Sequence, residues 1–324
     1  MSRTRIKIAL RAYDQFCPLI NGAVSHPEFE FDVDFRAALS DDFSPGFHAR
    51  EISFNRYALA HARGERNLIG LPAFVLRGFR HRNYIVRRDS PLTSLSELKG
   101  RRIGTNSWGD TGTMWSRAAL REAGVDVSDV SWVLGDLDDV TKLKPRGPTD
   151  AGPPADTLYL SEQQTLLGAL RDQSVDAVTT AFMPPSVYER NGEFRRLITD
   201  FREAELAYHT RTGIYPAFHI MAVQRSFAET FPDAVRTVYQ ALQDSWNIWW
   251  TKTKNFGESS PWAIEEAETM LNLFPDDLFP FGTQSASHRR MLRAVCDEQL
   301  KQKLVTVPAD PGALFSDFEE LATR

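Results

Sequence analysis

Pro91-Leu-Thr-Ser-Leu-Ser-Glu-Leu-Lys-Gly100-Arg-Arg-Ile-Gly-Thr105 is the stretch that decides the fold class. Residues 91–100 read as a short helix stopped by glycine, and residues 102–105 as the strand that follows at once. Downstream, residues 111–123 predict a helix with Met114, Ala118 and Leu120 among its apolar positions and Gly124 as its stop. Upstream, residues 54–64 predict a helix that ends at Gly64. Further strands are expected at 7–9, 29–34, 66–72, 83–86, 177–180 and 216–223. Another helix is expected at 161–170, followed by a turn at Gln173-Ser174. Strands and helices that alternate in this way specify an α/β architecture.

The chain has 324 residues, enough for one large domain or two lobes. Its first ten residues, Met1-Ser-Arg-Thr-Arg-Ile-Lys-Ile-Ala-Leu10, set Ile6, Ile8 and Leu10 in alternation with Lys7 and Ala9. That is the period of a strand rather than the unbroken apolar core of a secretory signal, so a cytoplasmic location is expected. A net charge of −5 disfavours nucleic acid and anionic membrane as partners. No apolar run approaches the length of a membrane span. Cys17 and Cys296 lie too far apart in sequence for a local metal motif and read as reduced thiols.

Residues 232–251 carry Val235, Val238, Tyr239, Leu242, Trp246, Trp249 and Trp250, the pattern of a long amphipathic helix whose aromatic stripe is core. Any part of that Trp-rich surface left exposed would suit a homo-oligomer. Residues 142–156 and 255–261 are polar and rich in loop formers, so both are expected as exposed excursions.

Several blocks taken together resemble the 4,5-dihydroxyphthalate decarboxylase family, within the type II periplasmic-binding-protein superfamily. They are Leu76-Arg-Gly-Phe-Arg-His-Arg-Asn-Tyr-Ile-Val86, the Ser94–Gly104 part of the opening stretch, and Trp108 through Leu120 with Val130-Ser-Trp-Val-Leu-Gly135. Leu170-Arg-Asp-Gln-Ser-Val-Asp-Ala-Val178, Thr212-Gly-Ile-Tyr-Pro-Ala-Phe-His219 and Phe279-Pro-Phe-Gly282 continue the series. After Gly282 the chain reads Thr-Gln-Ser-Ala-Ser-His where the family pattern has an Asn-Arg pair. The resemblance implies an α/β, two-lobed fold with a ligand cleft between the lobes. Residues 1–85 and 212–324 would form one lobe and residues 86–211 the other. It also implies a small aromatic carboxylate as substrate and no cofactor or metal.

The chain lacks the phosphate-binding loop, the serine-hydrolase elbow, the paired-histidine zinc helix and the paired-cysteine motif. Gly104-Thr-Asn-Ser-Trp-Gly109 has the wrong glycine spacing for a dinucleotide loop. It reads instead as a strand-to-helix loop whose helix N-terminus offers N–H groups to an anion, with Asn106 and Thr111 as donors. Simple N-capping by Asp110 or Thr111 explains the same residues equally well. Arg77, Arg80, His81 and Arg82 crowd one segment. They form either a solvated basic turn or, by the bidentate fork of arginine, a substrate-binding carboxylate clamp at Arg77 and Arg80; the resemblance favours the functional reading for Arg80 and implies a catalytic His81. His219 lies in an apolar run, where a histidine is more often a hydrogen-bonded core residue; its place in the resembling block implies catalysis, with Tyr215 as a neighbouring donor. Glu51 is either a substrate-binding carboxylate or a helix cap, and Asp14 follows the first strand. The alternative to a decarboxylase is a non-catalytic small-anion binding protein, either a solute receptor or a sensor. A pyrimidine-precursor synthase on the same fold would be expected to carry a cysteine-rich segment, which this chain lacks.

Overall fold

The computed structural model describes residues 3–35, 46–142, 152–257, 260–275 and 277–322. Among them the strands are β1 (Thr4–Leu10), β2 (Phe29–Phe35), β3 (Ala49–Ser53), β4 (Leu68–Arg77), β5 (Tyr84–Arg87) and β6 (Arg102–Thr105). They continue with β7 (Ser131–Leu134), β8 (Leu158–Tyr159), β9 (Ala177–Thr179), β10 (Phe194–Arg196) and β11 (Ala217–Gln224). The helices are α1 (Cys17–Ile20), α2 (Phe54–Ala62), α3 (Thr111–Glu122), α4 (Leu166–Arg171) and α5 (Phe201–Thr212). After these come α6 (Arg225–Thr230), α7 (Pro232–Phe256), α8 (Ala263–Leu273), α9 (Ala286–Lys301) and α10 (Ser316–Ala322). None of the helices so described is long and apolar enough to cross a membrane.

The chain divides into two compact units. The first comprises Met1–Arg77, Ala217–Arg293 and Ala309–Arg324; the second comprises Gly78–Pro216 and Ala294–Pro308. These bounds differ from the lobes expected at 1–85 with 212–324 and at 86–211. β4 runs unbroken to Arg77, and the Gly78 N–H donates to the Pro216 carbonyl at 3.0 Å, so the outgoing and returning segments are tied there. The second half of α9 joins the second unit because Gln302 accepts from Arg117 Nε at 2.7 Å and Glu298 from Arg121 at 2.9 Å.

In the first unit the sheet order is β2-β1-β3-β11-β4. β1 pairs in parallel with β2 and β3, and β11 is antiparallel to both β3 and β4. The alternation read in β1 puts Ile6, Ile8 and Leu10 fully inside, against Val235, Val238, Leu242 and Trp246 of α7. The aromatic stripe is therefore core along this face. Trp262, Ile264 and Leu271, by contrast, remain exposed.

In the second unit the order is β10-β5-β9-β6-β7-β8. β6 is parallel to β7 and β9, and β5 is antiparallel to β9 and β10. Ile85, Val133, Leu166, Leu170 and Val178 form its core. Glycine stops match the sequence reading: Gly64, Gly100 and Gly124 all hold positive φ, which a side chain resists. α4 starts later than the expected residue 161. Ser161 turns back on Gln164 Oε1 through both its N–H and its hydroxyl, and Thr165 provides the N-cap, accepting from the Gly168 N–H. Of the two expected loops, most of 142–156 lies outside the described residues. In the other, Asn255 belongs to the last turn of α7, and residues 258–259 lie outside the described residues.

Candidate functional site

Two groups of chemistry-bearing side chains stand out, one in each unit. In the first unit, strand register sets His219 of β11 opposite Ser53 of β3, and Met221 opposite Glu51. Glu51 and His219 are thus diagonal neighbours, and the two-residue period of a strand puts both on one face. Glu51 is fully buried, and each carboxylate oxygen is engaged. Oε1 accepts from the Tyr13 hydroxyl at 2.7 Å and bonds His219 Nδ1, while Oε2 accepts from the Arg11 N–H at 3.0 Å. Arg11 and Tyr13 reach it from the segment that follows β1. The His219 side chain retains 18% exposure, and among the described residues its Nε2 makes no hydrogen bond.

Burial pushes the Glu51 carboxyl upward. The hydrogen bond and charge of His219, with the bonds from Tyr13 and the Arg11 N–H, outweigh burial and hold it below the usual range. The Tyr13 phenol moves the other way: burial and then the Glu51 charge raise it, so it stays a donor. An ionised carboxylate can only accept, so Nδ1 is the ring nitrogen that carries a proton toward Glu51, which leaves Nε2 as the position for the lone pair of a neutral ring. Glu51 therefore serves neither sequence expectation directly. It is too deep to touch a ligand, and the cap of α2 is Ser53, which accepts from the Arg56 N–H. Tyr13 was not singled out in the sequence, because nothing local to it marks a partner 38 residues away.

In the second unit, Arg80 is buried and donates from Nη1 to the Ala181 carbonyl at 3.0 Å. Its guanidinium lies on the first turn of α3, where a Cβ on Gly112 would come within 2.5 Å of Nη2. Thr111 opens that helix and is buried. Asp110 is the N-cap residue, but its side chain makes no capping hydrogen bond. In the loop ahead of α3, Asn106 Oδ1, Ser107 Oγ and Trp108 Nε1 are buried and have no hydrogen-bond partner among the described residues. Beneath them lies Arg117, fully buried, with its guanidinium 3.9 Å from the Trp108 ring centre and Nη2 donating to the Trp108 carbonyl. Burial lowers the Arg117 pKa to about 9, leaving it cationic at neutral pH. A helix N-terminus, a buried cation and two unpartnered donors, Ser107 Oγ and Trp108 Nε1, form an anion-seeking set, while Asn106 Oδ1 is an acceptor suited to a hydroxyl. Ser107 and Arg117 were not read from sequence, although the loop holding Ser107 was.

His81 begins a short 3-10 helix, His81–Asn83, in the same unit. Its ring stands edge-on to Tyr208 at 5.2 Å, and its buried Nδ1 has no hydrogen-bond partner among the described residues. Burial, partly offset by Glu122, lowers its pKa to about 4, so it is neutral at neutral pH. Tyr215 stacks on Phe79 with ring centres 5.2 Å apart. Arg77 stands apart from these groups: it forms a buried ion pair with Asp277 at 3.3 Å, and Asp277 also accepts from Ser287. The sequence expectation of Arg77 as a substrate clamp therefore meets a side chain already held by an internal carboxylate. Among the described residues no cluster of His, Cys, Asp and Glu could hold a metal ion. A cavity of about 410 Å³ in the first unit, lined in part by Arg289, Arg293 and Phe315, contains none of the residues above.

The family model described as NMT1/THI5 like matches residues 76–252. The chain is 26% identical over 306 residues to 4,5-dihydroxyphthalate decarboxylase of Comamonas testosteroni, covering 89% of each protein. It is 31% identical over 189 residues to the Pseudomonas putida protein of that name, covering 55% of this chain and 70% of the relative. Among solved structures, the periplasmic aliphatic sulphonate binding protein SsuA of Escherichia coli superposes with a TM-score of 0.55 at 14% identity, covering 96% of this chain and 91% of that one. The desulfurization enzyme DSZB superposes with a TM-score of 0.50 at 16% identity, covering 99% and 100%. At these identities the structural likeness establishes the two-lobed α/β fold of periplasmic binding proteins, and the fold alone.

Proposed function

The chain belongs to the NMT1/THI5-like family and, within it, to the carboxy-lyases named 4,5-dihydroxyphthalate decarboxylase, and from this we propose that it releases CO2 from a hydroxylated aromatic carboxylate of that kind. Direct loss of CO2 would leave an aryl anion, which is too unstable to form. A ring hydroxyl ortho or para to the carboxylate opens another course. A base removes the hydroxyl proton, the oxygen's electron pair moves into the ring, and an acid protonates the carbon that bears the carboxylate. The C–C bond then breaks, its electrons return to the ring, and the phenolate regains a proton. One proton is consumed for each CO2 released, and neither metal nor organic cofactor takes part.

His219 is assigned to proton transfer, because its partly exposed ring keeps an Nε2 lone pair while Nδ1 is held by Glu51. Arg80, the N-terminus of α3, Asn106 and Thr111 are assigned to carboxylate binding. His81, neutral because it is buried, can exchange a proton only through a neutral ring, and Tyr215 supplies a phenolic donor. The observation that carries the reading is the buried Glu51 bonded to His219, an arrangement that binding alone does not require.

The test is CO2 release from 4,5-dihydroxyphthalate and from a panel of hydroxybenzoates by purified protein. His219→Ala should abolish turnover while the protein stays folded by circular dichroism; full turnover in that variant removes His219 from the chemistry. A second reading, a non-catalytic binder of aromatic anions, is favoured by the unpartnered atoms ahead of α3, which need only a ligand. Saturable binding without CO2 release on long incubation would establish it.

A further inference from the structure

We propose that Glu51 is a positioning residue, held by Tyr13 and the Arg11 N–H, that fixes His219 as the Nδ1–H tautomer and so makes Nε2 the proton acceptor of the reaction. The inference rests on the decarboxylase reading for its rate consequences, but its structural content does not depend on any substrate.

Three features converge on it. Glu51 has no surface of its own, so it cannot bind a ligand, yet a bare buried carboxylate is costly unless its lone pairs are matched. Here they are matched by three donors from two segments: the stretch after β1 gives the Tyr13 hydroxyl and the Arg11 N–H, and β11 gives His219. His219 keeps 18% of its side chain in contact with solvent while its Nδ1 is tied down, whereas the hydroxyl of the half-buried Tyr13 is already bonded to Oε1. A purely structural ion pair would have no need to leave that ring partly uncovered.

The ordering of the donors adds a second argument. Tyr13 and His219 share Oε1, whereas Oε2 is tied to the backbone of Arg11. The backbone bond fixes the plane of the carboxylate, and the phenol prevents Oε1 from turning away. The imidazole therefore meets an acceptor whose direction is set before substrate arrives, the pre-organisation that proton transfer rewards. When Nε2 takes the phenolic proton, both ring nitrogens carry hydrogen, and the imidazolium faces a carboxylate already ionised. The proton leaves the substrate oxygen with its electron pair remaining there, and no bond to Glu51 is made or broken. The charged and titratable side chains around the pair are Tyr13 and Arg11; Arg50, adjacent in β3, falls on the opposite face by strand alternation.

Glutamine at this position has nearly the same volume but can present either an acceptor or a donor to Nδ1. Nitrogen-15 NMR of the histidine rings in the full-length protein, above the pH at which the ring takes its second proton, reads the tautomer directly; His219→Ala identifies the signal. The wild-type His219 should be the Nδ1–H form, and Glu51→Gln should mix or reverse it. In turnover, Glu51→Gln should lower kcat by about 10²–10⁴-fold with KM little changed, and move the acidic limb of the pH–rate profile. Tyr13→Phe should lower kcat by a smaller factor. A wild-type His219 in the Nε2–H form overturns the proposal, as does a folded Glu51→Gln that keeps wild-type kcat. If Glu51→Gln does not fold, the wild-type tautomer and Tyr13→Phe still decide. If the tautomer is as proposed but no hydroxyaryl acid is consumed, the decarboxylase reading fails while the positioning role stands.

Discussion

Gly112→Ala is the smallest change that isolates Arg80. Gly112 lies in the first turn of α3 with an ordinary helical φ, so alanine suits its backbone and by helix propensity would stabilise it by about 1 kcal/mol at most. The obstacle is steric: the new Cβ would lie 2.5 Å from Arg80 Nη2 and 2.9 Å from Cζ. The guanidinium is the end of a flexible chain, so it moves rather than the helix. Moving it breaks the charge-assisted bond to the Ala181 carbonyl, worth about 1.5–3 kcal/mol, so net destabilisation should stay near about 1–2 kcal/mol. An aromatic carboxylate that depends on Arg80 loses a bond of similar size, which corresponds to a Kd raised by about 10–100-fold. Isothermal titration of 4,5-dihydroxyphthalate in a His219→Ala background, where ligand is not consumed, measures this. The same substitution in an Arg80→Ala background should change Kd no further, because its whole effect runs through the guanidinium. An effect that persists without Arg80, or an unchanged Kd with Arg80 present, refutes the reasoning.

Arg77→Ala strands the buried Asp277 with Ser287 as its remaining named donor and should cost about 3–5 kcal/mol in urea unfolding, with Kd for the aromatic acid unchanged; a selective loss of affinity would return Arg77 to the binding site. His81 and His288 are both lowered to about 4 chiefly by burial, with the Arg77 charge adding to the effect at His288. Against an unfolded value of about 6.5, the folded chain binds fewer protons in between. Stability is therefore full above about pH 6.5 and falls toward pH 4, by about 2 kcal/mol per histidine at pH 5. His81→Gln should make the fall in unfolding free energy between pH 7.5 and pH 5 shallower, and an unchanged slope would mean that His81 is not held neutral. Glu51 contributes in the other window: its depressed pKa gives stability above about pH 4.5 that is lost as pH falls through the folded value. Glu51→Gln should consequently flatten the unfolding curve below that pH.

The elements legible in the sequence were those whose cause is local. β1 shows its alternation, α3 and α2 end at glycines with positive φ, and α7 shows its apolar stripe. β3 was not legible, because Ala-Arg-Glu-Ile-Ser has no apolar period. Its buried Glu51 is satisfied by groups 38, 40 and 168 positions away, and no local pattern encodes such distances. The same holds for Arg77. Four basic residues between 77 and 82 look alike in sequence, yet one pairs with Asp277 two hundred positions on and another lies over Gly112. The family resemblance, rather than residue type, pointed to His219 and Arg80 as chemistry; only tertiary contacts separate a residue that meets a ligand from one that arranges its neighbour.

The two sheets repeat one plan that the sequence does not repeat. Leaving aside β8, the orders β2-β1-β3-β11-β4 and β7-β6-β9-β5-β10 match position for position. In each, the fourth strand is antiparallel and is the first strand the chain makes after crossing from the other unit. In each, the connections leaving two adjacent parallel strands, β1 and β3 or β6 and β9, run toward opposite sides of the sheet, the arrangement that opens a crevice at the carboxyl ends of parallel strands. The candidate residues follow that rule twice. Arg11 and Tyr13 follow β1, and residues 106–110 follow β6. His219 lies near the start of antiparallel β11, opposite the last residue of β3, and Arg80 and His81 immediately precede antiparallel β5, whose first residue pairs with the end of β9. An antiparallel strand begins where its parallel neighbours end, so the topology delivers a side chain to the same edge of each sheet. What differs is the chemistry placed there: a carboxylate-bound histidine on one, and an arginine over a helix N-terminus on the other. Fold alone does not decide between binding and catalysis, which is why the assignment rests on the decarboxylase relatives and on Glu51 and His219 rather than on the architecture.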